Sequence, residues 1–391
     1  MKDGLSDYTH GPILCVVGAR PNYMKISPII RELRSKRNPI STKLVHTGQH
    51  YDPEMSDAFF TQLQIPQPDI ELDVGSASHA VQTAEIMKRF EPVIDSECPA
   101  AVLVVGDVNS TIACALVAAK RNIPVIHVEA GLRSYDRSMP EEINRVLTDQ
   151  IAELLFITEP AARENLLREG VQDDRIHYVG NVMIDTLRRC QARAVPAQLT
   201  LGTVDHRNLF LSGDAGYCVL TLHRPSNVDD PQVFRHILET VRSVSERLPV
   251  VFPVHPRTRK QAAELGLQGL LESPRIALLQ PLGYLEMLGL VSSAQLVMTD
   301  SGGLQEETTV LGIPCITLRH NTERPVTEEQ GTNTVVGHDR QHILTIVDDV
   351  LQTGGKRGRV PELWDGKAAV RIKTVLNDWL QQRRAKLAIA N

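Results

Sequence analysis

Short apolar runs rich in β-branched residues recur along the chain, each followed by a longer stretch whose apolar positions have helical spacing. In the first half these runs are ILCVVGA (13–19), TKLVHTG (42–48), AVLVVGD (101–107), PVIHVEA (124–130), LLFIT (154–158) and IHYVG (176–180). Continuous apolar runs fit strands covered on both faces, and the stretches between them fit the crossovers of a parallel sheet. The pattern fades over about residues 191–216. It restarts with YCVLTLH (217–223), VVFPVH (250–255), IALLQ (276–280), LVMTD (296–300), PCITL (314–318) and TNTVV (332–336). Two such series predict an α/β protein with two doubly wound, Rossmann-like domains facing a cleft, residues 1–190 and 191–366. Residues 367–391 follow, and Lys367 to Ala388 reads as a charged amphipathic helix whose destination the pattern does not set.

Composition adds few constraints. The 391 residues suit two domains at about 100–200 residues each. The net charge of -5 gives no basic footprint for nucleic acid, so an anionic ligand must be met by a local site. Six cysteines are scattered without a CxxC pair, several inside apolar runs, which reads as reduced thiols in a cytoplasmic protein. The N-terminus MKDGLSDYTHGP has no signal-peptide character, and no apolar run approaches the roughly 18 residues a spanning helix needs. No membrane or nucleic-acid partner is expected.

Ligands of open parallel sheets bind beyond the carboxyl ends of the strands, and polar residues gather at those ends here. The first domain offers Gly18-Ala19-Arg20-Pro21, Gly106-Asp107, and His127 and Glu129 leading into Gly131 and Arg133. The second offers His223-Arg224-Pro225, His255-Pro256-Arg257 and Asp300-Ser301-Gly302-Gly303. In the last of these, a Ser-Gly-Gly turn lets backbone N–H groups approach a diphosphate at a helix N-terminus. Glu307, about one turn on, is placed to accept from ribose hydroxyls. The plainer reading is that Asp300 or Ser301 caps the helix and the glycines only permit the turn. Arg20, before Pro21 at a helix start, suits a phosphate, with Lys25 about a turn later; a surface arginine is the plainer alternative.

Carboxylates form the second set. Asp107 ends an apolar strand, Glu129 closes another, and Glu141-Glu142 opens a helix after Pro140. Partly buried carboxylates at strand ends suit general acid–base work. For one of the Glu141–Glu142 pair, favourable charge in the first helical turn suffices. Glu129 in an apolar run demands a partner, with an ion pair to Arg133 or Arg145 as the plainer reading. His223 suits phosphate binding or proton exchange, while His46, His50, His79, His127 and His255 default to structural roles. These histidines and acids lack metal-ligand spacing, so no catalytic metal is expected.

Taken together, GARPNYMKISPII, HTGQHYD, VVGDVNST, IHVEAGLRS, MPEEINR, ITEP, VGNVMIDT, LTLHRPSN, PVHPRT, PLGYLEM, DSGGLQEETTVLGIPCITLR and TERPVTEEQGTN resemble the non-hydrolysing UDP-N-acetylglucosamine 2-epimerases. They occur in the family's order over about residues 13–337. The resemblance implies a glycosyltransferase-B type fold, with the last helix crossing back to the first domain. It also implies interconversion of UDP-N-acetylglucosamine and UDP-N-acetylmannosamine by UDP elimination and re-addition, without NAD or another cofactor. Position by position it implies Asp107, Glu129, Glu141 and His223 as catalytic. Substrate contacts are implied for Arg20, Lys25, His223, Arg224, His255, Ser301, Gly302, Gly303, Glu307 and Arg324. Gln49 and His50, retained from the GQH motif, are candidate allosteric contacts, and a homodimer is expected.

Two departures stand out. The family's GTRPE reads Gly18-Ala19-Arg20-Pro21-Asn22, and a PGQ-type stretch that binds an activating UDP-sugar is replaced by 73–79, DVGSASH. A 2,3-diacetamido UDP-sugar is therefore a variant substrate. A glycosyltransferase of the same fold, a hydrolysing epimerase and a non-catalytic UDP-sugar sensor are the alternatives. The acidic cluster favours an epimerase over the transferase and the sensor.

Overall fold

The computed structural model describes residues 11–49, 61–202, 204–211 and 216–390, apart from the side chains of residues 20 and 387–390. It divides into two compact units, Met1–Arg189 with Glu362–Asn391, and Cys190–Pro361. No helix among the described residues is long and apolar enough to cross a membrane.

The first unit is built on a seven-stranded sheet in the order β3-β2-β1-β4-β5-β6-β7, parallel throughout. Its strands are β1 (Ile13–Val17), β2 (Thr42–His46), β3 (Ile70–Glu71), β4 (Ala101–Val105), β5 (Val125–Ala130), β6 (Leu154–Ile157) and β7 (Ile176–Tyr178). The order reverses between β1 and β4, which makes their carboxyl ends the topological switch point where such sheets take ligands. Helices α1 (Arg20–Leu33), α2 (His79–Glu97), α3 (Asn109–Lys120) and α4 (Pro140–Ile151) flank this point. Most of α3 is buried, Asn109 and Ser110 included, because it lies behind the switch point between α2 and α4.

The second unit repeats the plan with six parallel strands in the order β10-β9-β8-β11-β12-β13. These are β8 (Cys218–Thr221), β9 (Val250–Pro253), β10 (Ile276–Leu279), β11 (Leu296–Thr299), β12 (Cys315–Thr317) and β13 (Asn333–Val335). Its switch point lies between β8 and β11. Helix α5 (Gly302–Leu311) starts directly after β11. Apolar clusters cover the two faces of this sheet, one with Phe234, Phe252 and Met298, the other with Tyr217, Val251 and Val297.

Twelve strands coincide with the apolar runs read from the sequence; β3, two residues long, was not anticipated. The chain returns to the first unit at Glu362. Trp364 Nε1 donates to Thr158 O at 2.9 Å, and the Asp185 carboxylate accepts from the backbone of Ala368 and Ala369 at 3.0 and 2.8 Å. That carboxylate caps the start of α6 (Ala368–Ala390). Lys373 Nζ then donates to Glu32 O, Ser35 Oγ and Arg37 O, fixing α6 beside α1.

Candidate functional site

At the first switch point the turn from β1 into α1 is organised by Asn22. Its Oδ1 accepts from the N–H groups of Gly18 and Ala19, at 3.3 and 3.0 Å, and its Nδ2 donates to Val105 O at 2.9 Å. The last bond crosses to the end of β4 and needs a donor. A glutamate at this position could not supply it, so the departure from GTRPE gives a cross-strand tie instead of a cleft carboxylate. Gly18 leaves no room for a side chain, because Ser110 and Thr47 close over it.

Glu129 stands on a bulge in β5, where the register with β6 slips between Val128 and Ala130. Its backbone adopts φ +71°, a strained left-handed conformation for a residue other than glycine. Lys25 Nζ donates to its Oε1 at 2.7 Å, with both residues buried. The ion pair expected with Arg133 or Arg145 is therefore made by Lys25. Both arginines are engaged elsewhere, Arg133 with Asp149 and Glu169, Arg145 with Asp107 and Glu142. Gly106, at φ +66°, passes so close to Lys25 that a Cβ would sit 2.6 Å from Nζ. The ends of β4 and β5 thus bring Asp107, Glu129, Lys25 and Arg145 together in one unit.

The Glu141–Glu142 pair divides. Glu142 is buried; its Oε2 accepts from Ser134 N and Oγ at 3.0 and 2.9 Å and its Oε1 from Tyr135 N at 2.8 Å. With Arg145 at 2.6 Å, it is an anchor for the loop after β5. Glu141 is half-buried. Gln49 Oε1 accepts from Ser110 N and Oγ, at 3.2 and 2.7 Å, which gives it a structural task at the start of α3. His50 lies outside the described residues. Arg20 begins α1.

The second switch point has a different content. Asp300, fully buried, reaches back to β8 rather than capping α5. Its Oδ2 accepts from the backbone of His223 and Arg224, both at 2.9 Å, and its Oδ1 meets His223 Nδ1 at 2.8 Å. Burial opposes ionisation of this carboxyl, but the facing His223 charge and these donors outweigh it and hold its pKa below the ordinary value. With Nδ1 taken, Nε2 of the 39 % exposed imidazole is the nitrogen left for a ligand. Ser301 precedes α5 and makes no side-chain cap; its own N–H donates to Thr299 Oγ1 at 2.9 Å.

Gly302 opens α5 under Arg324, whose guanidinium occupies the space a Cβ would need. Arg324 Nε donates to Glu306 Oε1 at 2.7 Å and Nη1 to Glu323 Oε1 at 2.5 Å. Arg319 Nη2 lies 2.7 Å from Glu323 Oε2, and Arg224 lies 3.7 Å from Oε1. Three guanidinium groups against two carboxylates leave a positive excess beside a helix N-terminus, a combination suited to a diphosphate. Glu307, on the buried side of α5, accepts from Tyr284 OH at 2.9 Å. Burial lifts its pKa to about 7, helped by Glu306 and opposed by that hydrogen bond. Gly303 follows in the first turn. His255 is exposed and caps its own helix, accepting at Nδ1 from Arg257 N at 3.2 Å.

Sequence reasoning missed Asn22, Asp149, Arg319, Glu306 and Glu323. The run of charged residues in RHNTERP (319–325) was the available signal for the arginine cluster.

The model of the UDP-N-acetylglucosamine 2-epimerase family matches residues 31–377. The UDP-N-acetylglucosamine 2-epimerase of Methanocaldococcus jannaschii is 42% identical over 366 residues, covering 92% of this chain and 97% of that one. Its crystal structure in complex with UDP-GlcNAc and UDP superposes with a TM-score of 0.83, covering 94% of this chain and 99% of that one at 40% identity. The UDP-2,3-diacetamido-2,3-dideoxy-D-glucuronate 2-epimerase of Pseudomonas aeruginosa is 40% identical over 355 residues, 88% of this chain and 96% of that one. The two parallel-sheet domains are of the glycosyltransferase-B type. The chain belongs to the UDP-N-acetylglucosamine 2-epimerase family.

Proposed function

We propose that this protein is a non-hydrolysing 2-epimerase that interconverts UDP-N-acetylglucosamine and UDP-N-acetylmannosamine. The observation that carries the reading is the pairing of family membership over nearly the whole chain with carboxylates at the ends of β4 and β5. The C2 proton beside an acetamido group is only weakly acidic, so base, acid and leaving-group stabilisation must act together. In the forward step a carboxylate takes the C2 proton, the C1–O bond breaks, and a C1=C2 double bond forms as UDP leaves. The sugar is then reprotonated at C2 on its other face while UDP re-adds at C1. Electrons and atoms balance without an oxidant, and no NAD is consumed.

Asp107, Glu129 and Glu141 supply the proton-exchange groups, since two faces of C2 require more than one or a relocated sugar. Lys25 and Arg20 belong to the phosphate side of the first unit. His223, oriented by Asp300, with Arg224, His255, Ser301, Gly302, Gly303 and Arg324, holds the diphosphate. Glu307 accepts from the ribose. Gln49 and His50 are retained as candidate contacts of an activating UDP-sugar; rates measured with and without added UDP-N-acetylglucosamine, using UDP-N-acetylmannosamine as substrate, test that role. We place the enzyme in the cytoplasm as a homodimer, which light scattering on the purified protein tests.

A 2,3-diacetamido UDP-sugar is the second reading, favoured by the comparable identity to the Pseudomonas aeruginosa enzyme. Incubating the protein with a panel of UDP-sugars in D2O and following C2 by NMR separates these readings. Deuterium entering C2 of UDP-N-acetylglucosamine, with the manno product appearing, is the expected result. Exchange with the diacetamido sugar alone moves the assignment to the second reading. No exchange with any sugar rejects epimerisation.

A further inference from the structure

The first unit holds a charged cluster, buried but for Glu169 at its edge, that the reaction above does not use. His127 on β5 and Asp149 on α4 are both at 0% exposure, and His127 Nδ1 meets Asp149 Oδ1 at 2.7 Å. Arg133 Nη2 lies 2.7 Å from Asp149 Oδ2, and the Arg133 guanidinium also grips Glu169 through Nε and Nη2, at 2.8 and 2.6 Å. Desolvating such a group costs stability that apolar residues of like size would not lose. What the cluster provides is geometry.

His127 Nε2 faces Gly106 O at 2.8 Å. A carbonyl only accepts, so Nε2 donates, and the bond fixes the peptide directly before Asp107. Asp149 Oδ2 also accepts from Gly131 N at 3.0 Å. The two attachments of Asp149 to β5 and its following turn therefore fall two residues before and two residues after Glu129. Between them lies the bulge with its left-handed φ of +71°. Strained backbone persists only where its surroundings over-determine it.

We infer that Asp149, acting through His127 and Gly131, is a positioning residue that holds Glu129 and Asp107 in register for proton exchange at C2. The inference rests on the proposed epimerase reading. Residues that orient the ligands of a metal centre contribute about 10- to 100-fold in activity without touching substrate, and a comparable effect is expected of a residue that orients reacting carboxylates.

The test compares full-length wild type with Asp149→Asn and His127→Gln, measuring kcat, KM, thermal midpoint and the primary isotope effect with C2-deuterated UDP-N-acetylglucosamine. Asp149→Asn is expected to lose about 100-fold in kcat with KM within about threefold, and the isotope effect should rise as proton abstraction becomes limiting. His127→Gln keeps a similar volume and a donor near Gly106, and is expected to lose about 10-fold with the same rise. It carries the test alone should Asp149→Asn fail to fold. The isotope effect is read only from active molecules, so a purely structural role would lower rate or stability and leave it unchanged. That result, or wild-type kcat in a folded variant, overturns the inference while leaving the epimerase reading intact. A wild-type protein that never exchanges C2 overturns both.

Discussion

At the switch point of the first sheet, Asp107 is paired with Arg145 and Glu129 with Lys25. At that of the second, three guanidinium groups gather around two carboxylates beside the start of α5, and a histidine is fixed by a buried aspartate. The two sheets share strand plan and switch-point logic, yet one presents individually balanced acids and the other a positive excess. The contrast teaches that topology supplies the place, and the residues one or two positions past each strand supply the chemistry. On the proposed reading the acids of the first sheet move protons, while the second sheet supplies most of the grip on the leaving group, joined by Arg20 and Lys25.

The strongest blow to this contrast is a change at the first sheet that leaves the second untouched. Asp107→Asn is expected to cut kcat by roughly 1000-fold or more, with UDP affinity by calorimetry within about threefold of wild type. Near-normal turnover removes Asp107 from the mechanism. The reciprocal change is Arg224→Ala, expected to weaken UDP by about 30-fold, or roughly 2 kcal/mol, through loss of a charge-assisted contact. If Arg224→Ala instead abolishes C2 exchange in enzyme saturated with substrate, the two sheets do not divide the work as described.

A third change sharpens the picture through pH. Glu307 has its folded pKa raised to about 7 by burial. Its protonated form therefore stabilises the fold relative to the unfolded chain. That contribution is full below the ordinary glutamate value and is lost as pH rises through about 7, amounting to at most about 3 kcal/mol. Thermal melts should show wild type losing more stability between pH 5 and pH 8 than Glu307→Gln, while the variant binds UDP less tightly. Parallel curves would contradict the assignment. The smallest effect separates neighbours: Glu142→Gln should lower stability by about 2 kcal/mol by weakening the loop anchor. Glu141→Gln should leave the melt unchanged and slow turnover.

Much of this was legible in the sequence, for identifiable reasons. Runs such as AVLVV and PVIHVEA read as buried strands from their length and β-branched content, and a carboxylate closing an apolar run needs a partner or a task, so Asp107 and Glu129 stood out. The two-residue β3 escaped because it carries no periodicity. Asp300 was read as a cap or phosphate neighbour, whereas it serves His223, 77 positions away in the chain. That link exists only because β8 and β11 adjoin at the switch point. Asn22 read as a missing acid because its tie to Val105 spans 83 positions. Asp149 was invisible for a related reason, since on its own helix it is one polar residue among several. Pairing across the sheet, not local pattern, gives these residues their meaning.

The division between the sheets is tested most directly by proton NMR of UDP-N-acetylglucosamine in D2O with Glu129→Gln, in protein whose UDP affinity has been matched to wild type. The account predicts that no UDP-N-acetylmannosamine forms over a period in which wild type brings the two sugars to equilibrium. Epimerisation at the wild-type rate would contradict it.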